Sequence, residues 1–283
     1  MPNESPSVDV SDEGAKLLLF ERFLGVQQAS WAISTLTFND ELSTGLSWTL
    51  PNQATLLAAL ALGVSAPIVG QRWRVLRALV SLSLVLASWP QTSNHGLLGT
   101  LLSVLLPFLA QEPNTAIRFF QRTLLVICFG AGVQKLLHGT WWSGSFLAYE
   151  VVHASRFEFA LRWLLSPGEW TRLRGLRGDA IGTGPYVLTG ISLWLARALV
   201  LLEVGLPVCA LQPRLRALAH IGLLLLAISF ALVARELLFG GLFIALNALV
   251  WPTVRLRHTL IAVTLLYGLG ALLWIVTEGR AWA

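Results

Sequence analysis

Apolar segments of about 20 residues recur along almost the whole chain, and this recurrence limits the possible folds more than any other feature. Such a segment is long enough for a helix that crosses the hydrocarbon layer of a bilayer. The 283 residues are 55% hydrophobic and only 12% charged, whereas soluble domains carry about 25% charged residues. The sequence therefore predicts an all-α, polytopic integral membrane bundle, and it excludes a water-soluble globule and a disordered chain.

Nine apolar segments can be delimited, which predicts about eight or nine transmembrane helices. They cover approximately residues 17–38, 53–70, 75–89, 94–110, 117–138, 186–211, 215–234, 236–250 and 258–277. Together they predict one transmembrane domain over residues 17–277, preceded by a cytoplasmic tail at 1–16 and followed by a C-terminal tail at 278–283.

The segment 139–185 is more polar than the rest and is expected to lie on the outer face. Within it, residues 156–165 alternate aromatic and aliphatic residues with charges, which is typical of a helix in the membrane interface. Ser166-Pro167-Gly168-Glu169 reads as a capping box with proline at the first helical position, so a second helix is expected to begin there.

Arginine distribution predicts the orientation. Arginines occupy alternate connections between the apolar segments, at Arg72, Arg74, Arg77, Arg118, Arg122, Arg214, Arg216, Arg255 and Arg257. The intervening connections 39–52 and 90–94 contain no lysine or arginine. By the positive-inside rule the N-terminus is cytoplasmic. The same rule explains the net charge of +5, so no nucleic-acid partner is expected.

Lys135 is the ionisable residue that most needs an explanation. It lies near the outer end of the fifth apolar segment, and the only other lysine, Lys16, precedes the first one. Two interpretations stay open. A lysine near a helix end can extend its ammonium to the headgroups, or it can face a cavity inside the bundle. In the second case a neutral amine would be a competent base.

The neighbours of Lys135 bear on this choice. Gly130, Ala131 and Gly132 leave little side-chain bulk, which allows either close helix packing or space for a ligand. His138, three residues after Lys135, shares its helix face, and a neighbouring imidazolium or an apolar pocket would favour the neutral amine.

His95 is the second candidate. Ser93-Asn94 is a good N-cap, so His95 is expected in the first turn of the fourth apolar helix, at its outer end. The positive end of the helix dipole disfavours imidazolium, and a neutral histidine there can bind an oxyanion or a phenolic oxygen. The alternative is an ordinary interfacial histidine. We expect His95 and Lys135 to line one cavity near the outer interface.

The remaining polar residues within apolar segments are expected to have structural roles. Arg197 and Glu203 are six residues apart and do not share a helix face, so each needs a partner elsewhere; the same is expected for His220. Glu21 and Arg22 are interpreted as a pair on the helix surface. The chain contains no HExxH, CxxC, Walker A or GxSxG motif, and no metal is expected.

Two short blocks carry a family resemblance. The segments SNHGLL, at residues 93–98, and FGAGVQKL, at residues 129–136, are followed by Trp142 and Gly144. This arrangement resembles the N-H-x-x-L and A-G-x-x-K-L segments of the vitamin K-dependent gamma-carboxylase and horizontally transferred transmembrane domain (HTTM) family. The run LEVGLP, at residues 202–207, is similar to a later helix of that family, more loosely.

The resemblance implies both a reaction and a site. Reduced vitamin K, or a related naphthoquinol, would be oxidised by O2 to an epoxide, and the strong base so formed would deprotonate a glutamate γ carbon for attack on CO2. Lys135 would deprotonate the hydroquinone, and His95 would bind or stabilise the reacting oxygen. The quinone would be bound by Asn94, Gly132, His138 and Trp142. The active side would be extracytoplasmic.

Two other function classes stay open. The same cavity could hold a quinone or a lipid in the bilayer without turnover. A small-solute transporter is less favoured, because the sequence contains no inverted repeat and no matching pair of segments broken by glycine or proline.

Overall fold

Helices make up all the regular structure that is described. The computed structural model describes residues 12–42, 70–87, 94–153, 165–176, 186–233 and 237–276, with positions 57, 60, 61, 63, 64, 68 and 162. Within these residues there are ten helices and no strand. They are α1 (Asp12–Leu42), α2 (Gln71–Ala87), α3 (Asn94–Leu109), α4 (Pro113–His138), α5 (Ser145–His153), α6 (Pro167–Gly175), α7 (Gly190–Ala210), α8 (Arg216–Val233), α9 (Leu237–Ala248) and α10 (Thr253–Val276). The all-α prediction is confirmed.

The predicted apolar segments correspond closely to these helices. Each segment other than 53–70 coincides with one helix, and 53–70 falls mostly outside the described residues. The largest difference is at α1, which begins at Asp12, inside the predicted tail, because Asp12 and Glu13 in its first turn favour a helix N-terminus. Two of the described helices, α4 and α7, are long and apolar enough to cross a membrane.

The chain divides into two compact units. The first comprises residues 1–121 and 248–271, and the second comprises residues 122–247 and 272–283. In the first unit α2 packs along α3, and α1 contacts both. In the second unit α7 packs with α8, and α5 packs with α6.

A buried carboxylate joins α1 to α2 in the first unit. Glu21 is fully buried, and its Oε2 accepts hydrogen bonds of 3.0 Å from Nε and Nη2 of Arg74. Its Oε1 pairs with Arg77. The predicted surface pair of Glu21 with Arg22 is therefore wrong. Glu21 faces α2 because two guanidinium groups there compensate the cost of burying its charge, while Arg22 is exposed.

A second polar contact lies two helical turns further along α1. Gln28 donates a hydrogen bond of 2.6 Å to Ser103 of α3 and another to Ser81 of α2. A spacing of seven residues returns to nearly the same helix face. One face of α1 therefore binds α2 and α3 through buried polar groups.

The described part of the polar segment 139–185 forms a small apolar core in the second unit. The core joins α5 and α6 to the start of α7, and its buried members are Leu147, Ala148, Val151, Val152, Leu165, Leu173, Leu188 and Ala196. The predicted interfacial helix at 156–165 lies almost entirely outside the described residues.

The predicted helix start at Ser166 is confirmed, with one difference. The hydroxyl of Ser166 caps α6 by accepting a hydrogen bond of 3.3 Å from the backbone N–H of Glu169. The carboxylate of Glu169 instead accepts hydrogen bonds from the backbone N–H of Thr189 and, at 2.9 Å, from Ser192. Glu169 therefore satisfies donors at the start of α7, where a negative charge is favoured.

Candidate functional site: a buried lysine–glutamate pair

Lys135 lies in the last turn of α4 and forms an ion pair with Glu203 of α7. Its Nζ donates a hydrogen bond to Oε1 of Glu203. The side chain of Glu203 is 1% exposed and that of Lys135 is 17% exposed. The ammonium is therefore directed to a buried carboxylate on another helix. Because Glu203 lies in an apolar segment, a partner on another helix was expected for it. Lys135 is that partner.

Gly132 allows the two helices to approach closely beside this pair. It precedes Lys135 by three residues, so both lie on the same face of α4. A Cβ at Gly132 would stand 2.7 Å from Cγ2 of Val204 and 2.9 Å from Cβ of Glu203. The small residues before Lys135 allow either close helix packing or space for a ligand. At Gly132 they allow close packing of α4 against α7.

Aromatic rings surround the ammonium. The Nζ of Lys135 lies 4.3 Å from the ring centroid of Trp141 and 5.4 Å from that of Phe230 on α8. Trp141 stacks on Phe146, with the two centroids 4.7 Å apart. Rings at these distances stabilise a cation through their quadrupoles. Glu203, Trp141 and Phe230 therefore hold the Lys135 side chain inside the second unit.

Glu203 also presents an unsatisfied acceptor. Its Oε2 is buried and has no hydrogen-bond partner among the described residues. In folded proteins nearly all buried polar atoms have a partner. Both oxygens of Glu21, the buried carboxylate of the first unit, are bonded to arginines. Oε2 of Glu203 therefore lacks the kind of donor that each oxygen of Glu21 has.

Trp142, a predicted quinone-binding residue, is bound to Arg197 rather than to Lys135. Its backbone carbonyl accepts a hydrogen bond of 3.1 Å from Nε of Arg197. The guanidinium of Arg197 lies 5.3 Å from the ring centroids of both Trp142 and Trp194. Arg197 therefore connects the turn after α4 to α7, which is the structural role expected for it.

Gly144 closes the same turn. Its φ is +74°, in the left-handed region that side chains other than glycine disfavour. A Cβ at this position would also stand 2.8 Å from Cβ of Leu188. Both the backbone conformation and the close contact require glycine here.

The other predicted site residues are not brought to Lys135 by the described contacts. His138 ends α4 and is exposed. Helix α3 begins at Asn94 and includes His95 in its first turn, as predicted, but both side chains lie outside the described part of the chain. The cavity expected to be shared by His95 and Lys135 stays a prediction.

His220, which was expected to have a structural role, joins α8 to α9. Nδ2 of Asn247 donates a hydrogen bond of 2.8 Å to the backbone carbonyl of His220. Because this fixes the orientation of the amide, Oδ1 of Asn247 accepts from Nδ1 of His220 at 2.7 Å. Both side chains are buried, and the pair satisfies Nδ1 of His220 and the side-chain amide of Asn247.

The sequence does not identify Trp141 and Phe230 as neighbours of Lys135. Trp141 precedes the predicted Trp142 by one residue, and only the path of the turn after α4 decides which ring meets the lysine. Phe230 is one of 13 phenylalanines, and no pattern distinguishes it. Glu203 did carry a signal, since a carboxylate in an apolar helix needs a partner.

The comparisons with known proteins leave the site to be interpreted from its own geometry. No protein-family model, no curated protein and no solved structure matches this chain. Within the part of the chain that the structure describes, no three His, Cys, Asp or Glu side chains are grouped as metal ligands.

Proposed function

We propose that the chain is a multi-span membrane protein of the gamma-carboxylase and HTTM type that oxidises a reduced naphthoquinone. In this proposal Lys135 takes the proton of the quinol hydroxyl, and oxidation to the epoxide is coupled to a carboxylation. The observation that carries the proposal is the ion pair of Lys135 with the buried Glu203 beside Trp141, in which one carboxylate oxygen has no partner among the described residues.

The distribution of polarity supports a membrane bundle with more spans than α4 and α7 alone. Large apolar side chains are exposed on α2, α3, α4, α7, α8 and α10, for example at Leu86, Phe108, Val126, Ile191, Leu218 and Leu265. Polar side chains are buried instead, among them Glu21, Gln28, Ser103, Glu203 and Asn247. Exposed leucines on this scale are unfavourable in water, whereas lipid accommodates them. We therefore propose eight or nine spans, a cytoplasmic N-terminus and an extracytoplasmic site.

Proton transfer within the ion pair would make Lys135 a base. While it is paired with a carboxylate, Lys135 is an ammonium and has no lone pair to offer. Movement of its proton along the existing hydrogen bond to Glu203 gives a neutral amine and a neutral acid. This removes two charges from an environment in which charge is costly. The neutral amine then accepts the proton of a quinol hydroxyl.

A quinol fits the groups that the site offers. It has an aromatic ring, which suits Trp141 and Phe230, and a hydroxyl donor, which suits Oε2 of Glu203. When bound, the reduced quinone supplies the electrons for O2 and, by the family resemblance, the strong base for reaction with CO2. His138 and Trp142 remain proposed quinone contacts in the second unit, and the quinone contacts expected of Asn94 and His95 stay predictions from the sequence.

The test is turnover by the purified protein. Protein in detergent or nanodiscs is incubated with a reduced naphthoquinone and O2, and the products are analysed for epoxide. A second reaction contains labelled CO2 and a glutamate-containing peptide. We expect epoxide above the level of a protein-free control. If no epoxide forms although the quinol binds, the proposed oxidation is wrong.

Binding without turnover is the second candidate, and one observation favours it. The ammonium of Lys135 already contacts Glu203, Trp141 and Phe230, which stabilises its charged form. A site that keeps this charge would hold a quinol or a lipid phenol but would not take its proton. In that case quinol affinity would be similar in the wild type and in Lys135→Arg, and no epoxide would form.

A further inference from the structure

We infer that Glu203 makes the site selective for the reduced quinone over its oxidised form, because Oε2 accepts a hydrogen bond from the ligand hydroxyl. This inference rests on the proposed function and assigns a residue to its substrate specificity. The oxidised quinone carries carbonyl oxygens where the hydroquinone carries hydroxyls, so the two forms differ at the atoms that Oε2 would meet.

The two carboxylate oxygens of Glu203 differ in their bonding. The Glu203 side chain is 1% exposed, and Oε1 is bonded to Lys135. Oε2 is buried without a hydrogen-bond partner among the described residues. A carboxylate oxygen can only accept. The group that would satisfy Oε2 is therefore an O–H or N–H donor that does not belong to the described residues.

A hydroquinone provides this donor, and an oxidised quinone does not. The quinone would place a carbonyl oxygen against a carboxylate oxygen, and two acceptors repel each other. A site built to bond a substrate hydroxyl can reject an analogue that lacks it by about 10⁴-fold or more, since its buried polar group is left unpaired. For a single acceptor we expect a preference of at least about 100-fold.

The ammonium of Lys135 does not remove this discrimination. A quinone carbonyl could accept a hydrogen bond from Nζ of Lys135, which has three N–H donors and gives one of them to Oε1 of Glu203. That contact would still leave Oε2 of Glu203 without a donor, whereas a ligand hydroxyl can donate to Oε2 and accept from Nζ.

Oε2 of Glu203 can also accept the proton that the ligand hydroxyl loses. When the ligand O–H bond breaks, its electron pair stays on the ligand oxygen, and the proton reaches Glu203 directly or by way of Nζ of Lys135. The carboxylate becomes a carboxylic acid, and the ligand becomes a phenolate. The Lys135 ammonium then has the phenolate as its counterion instead of the carboxylate, so the net charge of the site does not change.

The experiment compares two redox forms of one small ligand. Binding of menadiol and menadione to the purified protein is measured by calorimetry without oxygen. The dimethyl ether of menadiol is a third ligand, which keeps the ring and lacks the hydroxyl donors. In the wild type we expect menadiol to bind at least about 100-fold more tightly than either of the others.

Variants assign this preference to Glu203. Glu203→Gln replaces the acceptor by an amide that can also donate, so the preference should fall to less than about 10-fold. Because this change leaves Lys135 unpaired, a charge-balanced double variant, Lys135→Gln with Glu203→Gln, is measured beside it and should lose the preference as well. Glu21→Gln, at the buried carboxylate whose two oxygens are already bonded, is the matched control and should keep the preference.

The outcomes separate the two proposals. Equal affinity of the wild type for menadiol, menadione and the ether would overturn the inference and leave quinone binding intact. An unchanged preference in the double variant would also overturn it. If the wild type binds none of the three ligands, the proposed function is wrong and the inference falls with it.

Discussion

Nζ of Lys135 is hydrogen-bonded to the carboxylate of Glu203, which lies 68 residues further along the chain. Gly132, one turn before Lys135, is the position at which α4 packs against Cβ of Glu203 and the backbone nitrogen of Val204. The small residue and the ion pair are therefore parts of one interhelical contact.

Gly132→Ala should destabilise the second unit. The added Cβ would stand 2.7 Å from Val204 Cγ2 and 3.0 Å from the Val204 backbone nitrogen, which cannot move aside as a side chain can. We expect a loss of about 1–3 kcal/mol, read as a lower thermal midpoint in detergent. The control is Gly130→Ala, whose Cβ would meet no described heavy atom within 4 Å. Equal midpoints for the two variants would contradict this packing.

Removal of one partner from the buried ion pair should cost more than removal of both. Glu203→Ala leaves an ammonium without its counterion, and we expect a loss of about 3–5 kcal/mol. Lys135→Met combined with Glu203→Leu removes both charges and should be more stable than either single variant. A double-mutant cycle on unfolding free energies measures this difference. Additive effects would mean that the two side chains do not interact.

The sequence predicted eight of the ten described helices from their apolar residues and α6 from its N-terminal cap, but it did not predict α5. It also singled out Lys135, since a lysine within an apolar segment is rare. It did not pair Lys135 with Glu203, because the spacing along the chain says nothing about which faces of two distant helices meet.

One error and one omission have the same physical origin. Glu21 was assigned to a surface pair because its sequence neighbour is Arg22, whereas its partners are arginines of α2. The sequence also does not identify Trp141 as a neighbour of Lys135, although the turn after α4 places the Trp141 ring near the ammonium. Both contacts depend on tertiary packing, which local patterns do not encode.

Gly144 and Gly139 should respond differently to alanine. Both have positive φ, +74° and +70°, so a Cβ strains the backbone by about 1–3 kcal/mol at each position. At Gly144 the Cβ would also collide with Leu188, while at Gly139 no described atom lies within 4 Å. Gly144→Ala should therefore lower the thermal midpoint further than Gly139→Ala. The reverse order would show that the contact with Leu188 is not formed.

Asp12 should make the stability of the α1 terminus depend on pH in the acid range. Hydrogen bonds from Lys16 and then from Thr253 hold the pKa of Asp12 below its ordinary value. A carboxyl whose pKa is lowered by folding adds stability above its unfolded pKa of about 3.9, and this contribution is lost as the pH falls through the lower folded value. Asp12→Asn should reduce the thermal midpoint at neutral pH and change it little at strongly acidic pH. A constant difference at both pH values would contradict this linkage.

The most direct test of the proposed chemistry compares lysine with arginine at position 135. Lys135→Arg keeps a positive charge for Glu203 but loses the base, since guanidinium does not give up its proton. Lys16→Arg is the matched control at the other lysine, which pairs with Asp12 at 2.9 Å. With equal amounts of folded protein, naphthoquinol oxidation should be abolished in Lys135→Arg and unchanged in Lys16→Arg. Wild-type turnover by Lys135→Arg would show that Lys135 only anchors α4 and is not the base.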